Sequence, residues 1–204
     1  MSLLEQLFPG LLKGDWSSIP HWEVEDKPWE ILSTGDSGLI SQITDFTGRE
    51  AFIHPDAKIG DFVRIEGPCY IGANAEIRHS AYIRKGSWIC EGAVVGHSSE
   101  VKNSILLPDS KAPHFNYVGD SIIGIGVNIG AGAKLSNVRN DRREVFVTLE
   151  GGKRFGSGLM KFGALIGDNS QLGCNVVTNP GTIIPPGTMI SPNITVGGWA
   201  EVKS

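Results

Sequence analysis

Several things are scarce in this 204-residue chain, and each scarcity narrows what it can be. Neither charge sign dominates: Lys+Arg 18 stand against Asp+Glu 22. A basic surface large enough to grip a nucleic-acid backbone is therefore not expected. Cysteine is limited to Cys69, Cys90 and Cys174. Three widely spaced thiols suit neither a disulfide scaffold nor a clustered zinc site. No apolar run reaches membrane-spanning length, and the N-terminus lacks the basic start and apolar stretch of a secretory signal. The expectation is a soluble, cytoplasmic protein with no membrane partner. Aromatic residues make up only 8%, so any core is built from small and branched side chains. Disorder is excluded by 40% hydrophobic against 20% charged residues.

Glycine is what the chain has in excess, 27 residues, which signals many tight turns. A six-residue step explains them. Ile53, Ile59, Ile65, Ile71, Ile77, Ile83, Ile89, Val95, Val101 and Leu107 are all branched. Ten such residues in a row would arise by chance about once in a million. The register stops after Leu107, returns at Ile123, Ile129 and Leu135, and stops again over Arg139–Gly163. It resumes at Ile166, Leu172, Thr178, Ile184, Ile190 and Val196. Six fits neither a helix nor simple alternation. It fits a hexapeptide β-helix, with the two breaks read as loops projecting from a rigid prism. Residues 1–50 do not repeat. Leu3, Leu4, Leu7, Leu11 and Leu12 fall at helical spacing, interrupted by Pro9 and Gly10. This segment is expected to be a short helix and an extended stretch capping the open first coil. The β-helix domain is then 51–204.

The period resembles that of the hexapeptide-repeat acyltransferases. That resemblance implies an all-β left-handed parallel β-helix, in which three hexads make one triangular coil. A second resemblance is more specific. Glu100-Val-Lys102, then Ser110-Lys-Ala-Pro-His114-Phe-Asn-Tyr117-Val-Gly-Asp120, then Asn128-Ile-Gly-Ala131-Gly132 and Asn137 are similar to the acetyltransferase domain of the bifunctional enzyme that makes UDP-N-acetylglucosamine. The match runs from Arg84 to Asn137. It implies acetyl-CoA as co-substrate, no permanently bound cofactor, and transfer to an amino-sugar-1-phosphate, with glucosamine ahead of galactosamine. It also implies a homotrimer.

By the same resemblance His114 is the general base, and Glu100 orients the base or the sugar. Arg84, Lys102, Tyr117, Asn128 and Asn137 hold the sugar phosphate. The Ala131 N–H meets the thioester oxygen, and Cys174 lines the coenzyme A arm. Spacing supports part of this independently. Arg84 and Lys102 are 18 residues apart and each follows an inward-pointing residue, so they should stack on one face, about one strand spacing apart. Such a pair suits an anion. His114 falls in the first break, which places it on a loop. Imidazole titrates near neutrality and suits removal of a proton from an amine.

Two alternatives stay open: a non-catalytic scaffold or sugar-phosphate-binding β-helix, and a zinc hydratase of the same fold. In the second, His79 and His97, also 18 apart, would be joined by His114. The nucleotide-loop pattern of a uridylyltransferase is not visible in the first fifty residues, so uridylyl transfer is not expected.

Overall fold

A computed structural model describes residues 1–200 apart from Asp15, Ser17 and Arg49. Short strands of two to four residues build three seven-stranded parallel faces. The first face runs from Ala51–Ile53 to Thr182–Ile184, the second from Lys58–Ile59 to Met189–Ile190, and the third from Arg64–Ile65 to Thr195–Val196. Each chain turn visits the three faces in order and pairs with the turn above. Ile53 pairs with Ile71, and Ile71 with Ile89, each 18 residues on. The chain is thus a left-handed parallel β-helix, its side chains alternating between a packed interior and the surface. Corners adopt positive φ at Asn74, Asn169, Asn175, Gly126 and Gly132, among others, which these residue types reach at low cost.

The interior contains Ile71, Ile77, Ile83, Ile89, Val95, Val101, Ile123, Ile129 and Leu135, all within 1% of full burial. One expected position moves. Leu106, not Leu107, pairs with Ile89, and Leu107 packs outside the prism. From Val101 to Val118 the coil takes 17 residues, and from Leu106 to Ile123 again 17. The shortened corners lie at Asn103 and Asp120, both with positive φ. The first apparent break is therefore no projecting loop. It is two coils each one residue short, with Ala112 and Val118 as inward residues. The second break is a real insertion. It contains an antiparallel hairpin, Phe146–Thr148 against Arg154–Gly156.

The N-terminal segment also lies differently from the expectation. Its elements are a helix at Leu3–Leu7, 3-10 turns at Pro9–Leu12 and Pro28–Leu32, and a second helix at Leu39–Thr47 that the leucine spacing did not reveal. The first helix is held by a capping box, Ser2 and Glu5 each accepting the other's backbone N–H. The segment does not close the first coil, where Ile53 and Ile59 remain 40% exposed. It lies along the first face, burying Leu7, Phe8, Trp29, Leu39 and Ile43 against Tyr70, Trp88, Ile105, Ile122, Leu165 and Ile183. The reason is composition. Outward positions on that face are aromatic or branched, so the largest apolar surface available is the flank rather than the end. The inserted hairpin joins the same cluster through Val145, Val147 and Phe162, and Trp29 Nε1–H donates to Ser157 O at 3.1 Å. No helix of the described residues is long and apolar enough to cross a membrane.

Candidate active site

The third face carries four of the nine expected residues. Tyr82 pairs with Glu100 and Ile83 with Val101, so Arg84 continues in register with Lys102. One coil on, Tyr117 pairs with Glu100 and Gly119 with Lys102. Because side chains alternate, Arg84, Glu100, Lys102 and Tyr117 all point outward on one face while Ile83, Val101 and Val118 point in. The basic pair stacks as its 18-residue spacing implies.

The two cations are not left to repel each other. Arg84 Nη1 donates to Glu100 Oε1 at 2.8 Å. That hydrogen bond, opposed by burial and aided by the Glu100 charge, raises the guanidinium pKa further above its usual value. Lys102 Nζ lies 3.0 Å from Asp120 Oδ2. The Asp120 side chain is only 4% exposed, and it is braced on both sides. Asn103 Nδ2 donates to Asp120 Oδ1 at 2.9 Å, and Asn137 Nδ2 donates to Oδ2. Asn137 also donates to Tyr117 Oη at 3.3 Å. Asn103, Asp120 and Asn137 thus form a ladder up one edge, behind Lys102 and Tyr117. Burial, then the Asp120 and Glu100 charges, push the Tyr117 phenol pKa up, so it is a neutral hydrogen-bonding group at physiological pH. The bracing roles of Asp120 and Asn103 were missed from sequence. The available signal was the 17-residue spacing from Asn103 to Asp120 and again from Asp120 to Asn137.

His114 ends the strand Lys111–His114 on the second face and pairs with His97. It sits on a coil corner, not on the projecting loop expected, because the shortened coils keep it in register. Its side chain is exposed, while its backbone is fixed: its N–H donates to Asn116 Oδ1 at 3.0 Å, and its carbonyl accepts from Gly132 N at 2.9 Å. Register carries the same corner column on to Ala131 and Cys174. Lys111 pairs with Asn128 and Asn128 with Gln171, and Asn175 N donates to Ala131 O at 2.9 Å. Cys174 is exposed. Asn128 opens a strand of the second face. It is therefore on the far side of the His114 corner from Arg84 and Lys102, and one chain does not bring it onto their face.

The imidazoles of His79 and His97 stack with centroids 5.4 Å apart, as their spacing implies. Phe115, not His114, packs edge-on against His97, at 5.1 Å. Among the described residues no three His, Cys, Asp or Glu side chains gather as a metal ion would need.

A prism of hexapeptide coils with this polar face defines the class of protein; the particular family follows from comparison with known proteins. Residues 65–185 match the family model described as the GMPPB C-terminal domain, and the chain belongs to that family. A bifunctional sugar-1-phosphate nucleotidylyltransferase/acetyltransferase of Sulfurisphaera tokodaii is 35% identical over 194 residues, covering 86% of this chain and 46% of that protein. The bifunctional protein GlmU of Methanococcus aeolicus is 33% identical over 202 residues, covering 90% of this chain and 46% of its own length. The chain spans about half the length of these curated relatives. Among solved structures, a hexapeptide transferase family protein of Anaplasma phagocytophilum aligns with 16% identity and a TM-score of 0.30, covering 74% of this chain and 76% of that one.

Proposed function

We propose that the chain is an acetyl-CoA-dependent N-acetyltransferase acting on an amino-sugar-1-phosphate, glucosamine-1-phosphate first. One observation carries the reading. Arg84, Glu100, Lys102 and Tyr117 share one outward face, and that face begins at the corner column of His114, Ala131 and Cys174. Relatives named for sugar-phosphate acetyl transfer support the same class.

In this reading the sugar phosphate is drawn to Arg84 and Lys102, entering their existing ion pairs. Tyr117 holds a sugar or phosphate oxygen, and Asn137, whose amide donates to Tyr117 Oη and Asp120 Oδ2, fixes its position. The substrate amine attacks the acetyl carbon directly. An N–C bond forms and the C–S bond breaks, with no acyl-enzyme. His114 Nδ1 or Nε2 takes the amine proton, and the departing thiolate recovers a proton. The Ala131 N–H, on the same column, stabilises the developing oxyanion, and Cys174 borders the coenzyme A arm. Glu100 acts through Arg84, the partner it holds. The homotrimer that the family resemblance implies belongs to this proposal, with Asn128 on the second face offered to a site between copies, as does a cytoplasmic setting.

The test is free thiol release from acetyl-CoA with glucosamine-1-phosphate or galactosamine-1-phosphate. His114→Ala should cut kcat by about 10²–10⁴-fold with KM little changed. No release with either sugar, or full activity in His114→Ala, would overturn the reading.

A further inference from the structure

The third face has two ends. His114 stands at the corner where it begins. Lys102 ends one of its strands at the opposite corner. Since His97 pairs directly with His114 and precedes Lys102 by five residues, the two ends are at most about 17 Å of extended chain apart. A sugar whose amine meets His114 and whose phosphate meets Lys102 points that phosphate away from the acetyl donor and toward the second corner.

A pocket of 730 Å³ opens there. Its floor is Lys102, Asn103 and Asp120. One wall comes from the N-terminal segment, including Leu32 and Ile40, and the other from the return of the inserted hairpin, including Met160 and Lys161. The walls are tied to the floor, for Asn103 Nδ2 donates to Leu32 O at 3.0 Å. Lys85, Lys102 and Lys161 line the pocket against the single carboxylate of Asp120. The pocket therefore joins an excess of cations to an apolar wall, at the point where a bound phosphate would carry its next substituent. Its volume falls within the range of about 300–1,000 Å³ that small-molecule ligands occupy, more than one phosphoryl group needs.

We propose that this pocket receives a nucleoside diphosphate moiety, so that the amino sugar is acetylated as its nucleotide-linked form. Arg84 and Lys102 hold the sugar-proximal phosphoryl group, Lys85 and Lys161 the second, and the base lies against Ile40 and Met160. This rests on the acetyltransferase reading above and extends its substrate beyond the sugar-1-phosphate.

The experiment compares glucosamine-1-phosphate with UDP-glucosamine in the thiol-release assay, using wild type, Lys161→Glu and Met160→Asp. Wild type should show at least about tenfold higher kcat/KM for the nucleotide-linked sugar, about 1.4 kcal/mol of added recognition. Both variants should remove that preference and leave the acetyl-CoA KM and the sugar-1-phosphate rate unchanged. Equal or poorer use of UDP-glucosamine by wild type would overturn the proposal. So would variants that slow both sugars alike, or that raise the acetyl-CoA KM instead. If neither sugar is acetylated, the acetyltransferase reading fails separately, and the pocket is judged by calorimetry. Binding of UDP or GDP that weakens in Lys161→Glu sustains it; no binding of either to wild type overturns it.

Discussion

Replacing Asp168 with alanine should loosen the N-terminal segment from the prism. Asp168 is 2% exposed and joins three stretches of chain. Its Oδ2 accepts from Gly10 N at 2.7 Å, its Oδ1 accepts from Ile125 N at 2.8 Å, and its own N–H donates to Leu7 O at 3.0 Å. Alanine keeps the last bond and leaves two part-buried backbone N–H groups without an acceptor, each costing about 1–3 kcal/mol. The loss is offset in part because the carboxylate no longer has to be desolvated, the cause that pushes its pKa up in the fold. A net loss of about 2–3 kcal/mol follows. For a chain of this size that lowers the thermal midpoint by roughly 4–12 °C. Circular dichroism reads the midpoint, and hydrogen exchange at Phe8–Leu12 shows whether opening is local. Asp168→Asn, which keeps one acceptor, should fall between wild type and alanine. An unchanged midpoint together with unchanged exchange over Phe8–Leu12 would refute the clamp and leave apolar packing as the whole attachment.

Trp29→Ala should cost about 3–5 kcal/mol, because Trp29 is fully buried between the N-terminal segment and Phe155 and Phe162 of the insertion; chemical denaturation measures it, and a loss under about 1 kcal/mol would mean that the cluster closes over the gap. Glu66 gives a pH signature. Tyr82 O–H donation, then Arg64, hold its carboxyl below the usual range, so its contribution is present above the unfolded value and lost as pH falls through the lowered folded one. Glu66→Gln should therefore shrink the drop in thermal midpoint between about pH 5 and about pH 3, and an unchanged acid limb would count against it.

How much was readable in advance depended on whether a residue belonged to the period. The inward branched residues repeat strictly through Val101, so a hexapeptide β-helix followed from the period, while the stacking of Arg84 on Lys102 also needed the three-hexad coil that the family resemblance implies. The slip to Leu106 was invisible because Ile105, Leu106 and Leu107 are all apolar and any of them could point inward. That single residue also misplaced His114, which occupies a regular corner once the coil is counted as 17. The helix Leu39–Thr47 buries Leu39 and Ile43, one helical turn apart, too short a pattern to stand out. The flank position of residues 1–50 depends on outward side chains such as Trp88 and Ile105, which the six-residue step does not sample. Tyr117 and Asn137 were named only through the resemblance, whereas the buried ladder that joins Asn137 to Asn103 and Asp120 behind Tyr117 needed the register.

The shortened corners at Asn103 and Asp120 and the insertion after Asn137 all fall along a single edge of the prism. Length variation is thus confined to one seam, while the other two edges keep an unbroken count of six. A residue added or deleted at the seam is absorbed locally. The same change at the corner of His97 or Gly132 would turn every following strand inside out, exposing its branched residues. For anyone wishing to graft a peptide or a binding loop onto this scaffold, the tip of the hairpin at Glu150–Gly152 is the place where the fold already accommodates extra chain.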